Sequence, residues 1–458
     1  EWGGTQGLSE DVKYYGRWIQ DETEKRLAHL YPKVEVTEDM AKNRSDLKPY
    51  VGRKLTVITW IWARTVKSPN PAFAKVDVPL ISSFMLSTRK NKKAYIEPVI
   101  ENGNYQFTIV KGNPRDEKVK KTGTKHPHGG GFICLMSGST ISQEYIREEF
   151  SHNRSGSRLM AIVAQGTNER IYLPPTPIQE KLAKSEISGQ NPNIEMNQNS
   201  KDLVSGRGYG FKYWHELFTD RQLIALDTFS DLVKEVREHA KNDAIVAGME
   251  DDGVNLDFGG TCATAYADSI AVYLAFCISK VSDRGSSLSS WDSSRENLRN
   301  VFARQAIPMV WDYAESNPIA SSSGSFRNAL KQISKVLDQL SNHKTVGHAV
   351  ASDAIVQNIS AQKIISTDPP YFDNICYADL SDFFYVWLRQ SLRLVFKDLF
   401  ATIVVPKADE LIASPYRHSS KEEAKMFFLD GMTAAMNNIR KLATEVFPVT
   451  IYYAYKQS

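Results

Sequence analysis

Apolar residues near the start of the chain recur at helical spacing. Val12, Tyr15, Trp18 and Ile19 fall on one face, with Ser9 placed to cap the helix. The pattern predicts a helix that runs to Leu30, where Tyr31-Pro32 stops it, so residues 1–50 read as a helical lead segment. The period then shortens. The run from Leu55 to Trp62 is strand-like, and short β-rich pieces follow at Val78–Met85, Ala94–Ile100, Tyr105–Val110 and Arg170–Leu173. Turn chemistry separates them at Ser68-Pro69-Asn70-Pro71, Glu101-Asn102-Gly103-Asn104 and Gly129-Gly130-Gly131. Residues 51–183 therefore predict a small β module. Residues 184–211 are polar and aperiodic, and read as a linker or mobile loop. Helical spacing returns over 212–345, in the run from Trp214 to Val236, in Ala265–Val281 and from about Ser325 to Leu340.

The last part, 346–458, alternates. A strand at about Lys363–Ser366 ends in Asp368-Pro369-Pro370-Tyr371. An apolar helix, Phe383–Val395, follows with Ser381 as its cap. A second helix carries a capping box at Ser419/Glu422 or Ser420/Glu423, and Pro448–Tyr455 reads as a strand. Strand–helix–helix–strand predicts βαβ connections and a parallel sheet.

Lys and Arg number 56 against 53 Asp and Glu, a formal charge of +3 over 458 residues. Bulk charge alone gives no argument for a nucleic-acid partner. Two local clusters, Arg89-Lys90-Asn91-Lys92-Lys93 and Lys118-Val119-Lys120-Lys121, read either as solvated loop charge or as contacts to DNA phosphates. The four cysteines are widely spaced with no CxxC pair, which fits a reducing, cytoplasmic compartment. No run reaches the ~20 apolar residues that span a bilayer, so no membrane partner is expected. The chain starts at Glu1 and stops straight after an apparent strand, and it reads as a segment of a longer protein.

The chemistry concentrates at residues 364–374. Ile364-Ile365 reads as the end of a buried parallel strand, and Pro369-Pro370 ends that strand abruptly. Ligands in open α/β sheets sit just beyond the carboxyl ends of strands. Asp368 then offers a carboxylate, Pro369 a carbonyl fixed by the rings, and Tyr371 a flat face. An exocyclic amine on a nucleobase is a poor nucleophile because its lone pair is delocalised into the ring. Two acceptors that draw on its N–H groups let the nitrogen pyramidalise. A charge-assisted bond of this kind contributes about 1.5–3 kcal/mol, and stacking on an aromatic ring roughly 1–3 kcal/mol. Together they offset the few kcal/mol that flipping a base from the duplex costs.

Asp368-Pro369-Pro370-Tyr371 resembles the catalytic motif of amino-methylating DNA methyltransferases. The longer stretch from Tyr371 to Arg389 is similar to the large adenine-specific DNA methylases that carry a zinc-ribbon insert and occur in anti-phage defence loci. So are Tyr14-Tyr-Gly-Arg-Trp18, Trp60-Ile-Trp-Ala-Arg-Thr65, Arg304-Gln-Ala-Ile-Pro-Met-Val-Trp-Asp312 and Ile451-Tyr-Tyr-Ala-Tyr-Lys-Gln457. The resemblance implies an α/β fold: a partial Rossmann-like methyltransferase sheet (346–458) with a β-rich zinc-ribbon-like insert and a helical region. It implies a site-specific adenine methyltransferase of restriction-modification or antiviral defence. S-adenosyl-L-methionine would be its donor, and its partners double-stranded DNA with a flipped base and other defence-system subunits. Phe372, Asp373, Asn374 and Tyr377 would be substrate-binding.

Two departures from that family bear on the reading. Where its members place zinc-binding cysteines, this chain has Ser68-Pro-Asn-Pro-Ala-Phe73 and Cys134-Leu-Met-Ser137, one sulfur of the four a tetrahedral site needs. The ribbon is therefore expected to fold without metal. The cofactor-binding Asp-x-Phe-x-Gly-x-Gly strand-turn of the family is also missing. Asp257-Phe258-Gly259-Gly260 is the nearest run and reads as a helix-entry loop, so the main donor loop is expected outside this segment and the segment alone inactive. Cytosine amino methylation uses the same acceptors. Methylation of a protein glutamine fits less well, since Asn usually replaces the Asp there. The rival from another class is a non-catalytic DNA-binding or assembly subunit.

Overall fold

The computed structural model of the chain describes residues 4–184, 193–340, 347–372 and 375–453. Its centre is an antiparallel sheet built on β1 (Val57–Lys67). Strand β6 (Gly156–Gln165) pairs with one edge of β1, and β7 (Arg170–Leu173) with β6. The other edge takes β2 (Asp77–Leu80) against Arg64–Lys67 and β8 (Asp312–Ser316) against Thr59–Ala63. Both faces of β1 are covered, which is why its sequence is a nearly unbroken apolar run. Trp60 and Trp62 point to one side and join a core of helices, while Ile61 and Ala63 point to the other. On that second side lies a three-stranded antiparallel sheet of β3 (Met85–Ser87), β4 (Ala94–Glu101) and β5 (Asn104–Lys111). The β4–β5 turn is Asn102-Gly103, both at positive φ (51° and 73°), as a two-residue hairpin requires.

The helical layer contains α1 (Thr5–Leu27), α2 (Asp220–Val246), α3 (Ala263–Ser282), α4 (Phe326–Gln339) and α5 (Tyr377–Leu392). Helix α3 is apolar on nearly every side and packs against α2, α4 and α5. Helices α1 and α4 cross closely at Gly16, where a Cβ would lie 2.5 Å from the Leu330 Cδ1. A buried ion pair ties helix to sheet. Arg221 meets Glu315 at 2.6 Å, and its guanidinium lies 3.9 Å over the Trp60 ring.

Several expectations are corrected. The sequence divisions at 50/51 and 211/212 do not separate cores, because β1 and β8 share a ladder and α1 packs on α2 and α4. Residues 193–211 are not a loose linker: Met196, Leu203, Val204, Tyr209 and Phe211 are buried in the main core, whereas 185–192 lie outside the described residues. Ser9 does not cap α1, which starts at Thr5; its hydroxyl donates to Asp338 at 2.6 Å across the bundle. Ser381 lies inside α5 and donates back to the Tyr377 carbonyl, as mid-helix serines do.

The C-terminal part departs furthest from expectation. The predicted parallel sheet is a ladder of two-residue strands, β9 (Ser366–Thr367) and β10 (Thr450–Ile451), with one added bridge from Lys363 to Ala443. Ile364 is 64% exposed, so the Ile364-Ile365 pair is not the end of a buried strand. Strands are buried in a parallel sheet only when other strands and helices cover both faces. Helix α6 (Lys421–Leu442), whose last carbonyl accepts from the Gln362 N–H ahead of this ladder, buries only Ala424, Phe428 and Ala435. The class is thus mixed α and β, with mainly antiparallel sheets. No helix among the described residues is long and apolar enough to cross a membrane.

Candidate active site

The Asp368–Tyr371 run leaves the end of β9. The Thr450 N–H donates to the Ile365 carbonyl at 3.0 Å and the Tyr452 N–H to the Thr367 carbonyl at 2.9 Å, so the backbone is held up to the residue before Asp368. Beyond it the two prolines fix φ and can donate no hydrogen bond. Pro369 is buried, while Asp368 and Pro370 are exposed. Asp368 thus projects from a stiffened chain with its carboxylate toward solvent. Tyr371 is half-buried, and its ring stands edge-on to Tyr453, centroids 5.1 Å apart.

The other expected site residues divide. Phe372 packs edge-on against Phe428 at 5.3 Å, and its carbonyl accepts from the Ala413 N–H at 2.9 Å. That ties it to the loop, while 40% of its surface stays exposed. Asp373 and Asn374 lie outside the described residues. Tyr377 opens α5 and is 51% exposed; its hydroxyl accepts from Gln305 Nε2 at 3.2 Å. With Phe302, Leu380 and Phe384 it lines a largely apolar cavity of about 560 Å³. Three aromatic rings and one amide give that cavity the chemistry to hold a flat, hydrogen-bonding ring.

Behind the loop is a set of buried charges that sequence reading did not single out. Asp379 and Asp382, three apart on α5, are 0% and 3% exposed. Asp379 accepts from the Tyr416 hydroxyl at 2.5 Å and faces Arg417 at 3.4 Å. Asp382 pairs with Lys407 at 2.7 Å and accepts from the Val405 N–H. Glu410 bridges Arg417 and the Ala378 N–H, 2.6 and 2.9 Å away. Burial pushes the Asp382 carboxyl up, and burial with the Asp379 carboxylate pushes the Tyr416 phenol up. This network clasps residues 402–417 around the first turns of α5, the helix that follows the motif. Two acids three apart in an otherwise apolar helix were the available signal.

The two turns that resemble zinc knuckles do come together. Ser68 Oγ lies 3.4 Å from Cys134 Sγ, and Ser137 Oγ is 2.7 Å from Ser139 Oγ. Three hydroxyls and one thiol meet there as neutral, hydrogen-bonded groups, and among the described residues no cluster of three or more His, Cys, Asp or Glu could hold a metal ion.

S-adenosylmethionine does not fit the stretch nearest in sequence to the family's donor turn. Asp257-Phe258-Gly259-Gly260 forms a 3₁₀ turn and a left-handed Gly259 rather than a strand-to-helix turn. A Cβ on Gly260 would fall 2.1 Å from the Val254 carbonyl oxygen, so backbone already fills that space. The start of α3 is satisfied internally by Asp251, which accepts from the Thr264 N–H at 3.1 Å and hydroxyl at 2.6 Å. The Lys241 ammonium beside Asp251 and the Thr264 hydroxyl hold that carboxyl well below its usual range. A second anion would meet this fixed negative charge.

A scan against protein-family models gave no match, and searches of curated proteins and of solved structures gave none either.

Proposed function

We propose that the chain carries the base-holding half of an S-adenosylmethionine-dependent DNA methyltransferase acting on the exocyclic amine of adenine. The observation that carries this reading is the run Asp368-Pro369-Pro370-Tyr371 emerging from the end of a parallel β strand, with an exposed carboxylate and a braced ring side by side. A flipped adenine would donate one N–H to Asp368 and the other to the Pro369 carbonyl, and stack on Tyr371. Both acceptors act most strongly once the nitrogen begins to carry positive charge, so they favour the transition state over the ground state. Asp368, the Pro369 carbonyl and Tyr371 would be the acceptors and the stacking face, while the stretch at 257–260 leaves a gap on the donor side. That gap favours, as a second reading, a non-catalytic DNA-binding subunit.

The test is methyl transfer from labelled donor to duplex oligonucleotides by the intact protein. Adenine-containing duplexes are expected to accept label, and Asp368→Ala to lower the rate on the order of a hundredfold or more while the melting curve stays unchanged. Label on cytosine would move the assignment to that base. Full activity in Asp368→Ala would overturn the role given to Asp368, and no transfer to any duplex would leave the non-catalytic reading.

A further inference from the structure

The β module, well away in sequence from the Asp-Pro-Pro-Tyr loop, carries two adjoining concavities. One of about 260 Å³ lies between the β6–β7 turn, the β3–β4 turn and the Arg295–Glu296 hairpin. The other, about 1120 Å³, runs along the end of β5 toward residues 43–46. Lys111 lines both, and the Arg89–Lys93 turn gives Arg89 and Lys92 to the first and Lys90, Asn91 and Lys93 to the second. Together they present eight Lys and Arg side chains against three acids, Asp46, Glu169 and Glu296. That local excess is larger than the +3 of the whole chain, so the rest of the protein is slightly acidic.

The acids are used to position cations. Asp46 and Glu169 hold the Lys111 ammonium at 3.2 and 3.4 Å, and Asp46 also pins Arg44 at 2.8 Å. Glu296 pairs with Arg89 at 3.1 Å, while Arg89 Nη2 donates to the Arg295 carbonyl at 2.8 Å. Lys90, Lys92, Arg170 and Arg295 line the same surface, and among the described residues none of them has an acid within ion-pair distance. Unpaired cations gathered along a concave surface focus positive potential there. They come from separate segments, and so form an extended track rather than a single anion cradle.

We infer that this basic track grips the phosphate backbone of duplex DNA. Single strands are held by bases stacking on aromatic rings. The one aromatic residue here, Tyr172, is 2% exposed and spends its hydroxyl on Glu296 at 2.8 Å. A surface with cations and no free ring suits a polymer that shows only phosphates outward. The inference takes its choice of DNA from the methyltransferase reading, but the two fail separately.

The experiment is fluorescence anisotropy of the intact protein with a labelled duplex across a salt series. Lys90→Glu/Lys92→Glu and, separately, Arg170→Glu are expected to weaken binding at least tenfold. The slope of log K against log salt should fall by roughly 0.9 for each phosphate that is no longer neutralised. Lys425→Glu, a charge reversal on α6, should bind as the parent does. Melting curves of the groove variants should match the parent, since none of the altered side chains is paired. Unchanged affinity and slope in both groove variants would overturn the inference. So would tighter binding to the separated single strand, or to anionic phospholipid vesicles, than to the duplex. Loss of DNA binding without effect on Asp368-dependent chemistry on a free nucleoside would support the track and leave the methyltransferase reading standing.

Discussion

Two regions of this chain use similar residues to very different effect. Around β1, strands and helices cover both faces of a sheet, and Trp60, Trp62 and Trp214 are 2% exposed or less. Around β9 and β10, Ile364, Phe447 and Tyr452 are each more than half exposed. Both regions are rich in β-branched and aromatic residues, so composition does not separate them. What separates them is how many layers each finds within the described residues. Two two-residue strands and one helix cannot exclude water from both sides of a sheet. The motif proposed to hold a base thus projects from the thinly packed region, but it is followed by α5, whose Phe383 and Trp387 are each 1% exposed in the main core.

The largest effect is expected at the join of helix and sheet in the dense region. Glu315 is fully buried and accepts from Arg221, from Trp62 Nε1 at 2.9 Å and from Thr219 Oγ1 at 2.6 Å. Glu315→Ala strands the Arg221 charge and should cost about 3–5 kcal/mol. Replacing both partners by leucine should cost clearly less. Denaturant unfolding followed by tryptophan fluorescence reads both. A loss under about 1 kcal/mol for the single variant would mean that this pair does not organise the dense region.

Part of this architecture was legible in the sequence because its causes are local. Asn102-Gly103 announces a two-residue hairpin. Ser420 and Glu423 announce the start of α6, where Ser420 Oγ accepts from the Glu423 N–H at 3.1 Å and Glu423 answers at the Ser419 N–H. Ser9 and Ser381 carry the same local signal and mislead, because a bond to Asp338 across the bundle and one back along α5 outweigh capping. Pairings between distant segments left no local trace: Arg221 and Glu315 stand 94 residues apart, and β8 joins β1 across some two hundred and fifty. The parallel sheet was inferred from strand–helix alternation alone, and alternation does not say how many strands will meet. The Asp368 loop was readable because its stiffness comes from neighbouring prolines. The acids that fix α5 behind it act through residues 402–417 and were not.

A matched pair of truncations sharpens the contrast. Phe229 stacks on Phe326 with centroids 4.8 Å apart and is fully buried. Phe229→Ala should cost about 3–5 kcal/mol in global unfolding. Phe428 is also buried, yet its cluster is only Ala413, Ala424 and the partly buried Met432, with Phe372 edge-on. Phe428→Ala should leave global unfolding within about 1 kcal/mol and speed hydrogen exchange locally. The amides of Thr450 and Tyr452, which bond across the β9–β10 ladder, should lose protection while those of β1 keep it. Equal loss of protection in both places would show one cooperative unit and erase the distinction.

The smallest effect probes one of the contacts between α5 and the dense region. Asp227 on α2 is partly buried and accepts from Gln390 Nε2 on α5 at 3.3 Å. Burial raises its carboxyl pKa to about 6, with the nearby Asp231 adding to the rise while Gln390 and Lys234 oppose it. An unfolded aspartate titrates near 3.9. The folded state therefore holds this proton more tightly, and its contribution is greatest below about pH 4 and is lost as pH rises through about 6. Asp227→Asn keeps an oxygen for Gln390 but cannot ionise, so it should be more stable than the parent at pH 7 by about 1–2 kcal/mol, discounted for partial solvent screening. That advantage should shrink to nothing by pH 4. Thermal unfolding of both proteins at half-unit steps from pH 4 to 7 isolates the term, since every other carboxylate is common to the two. A constant difference across the series would show that Asp227 is ionised throughout, and that the α2–α5 contact is as solvated as the exposed strands beside the motif.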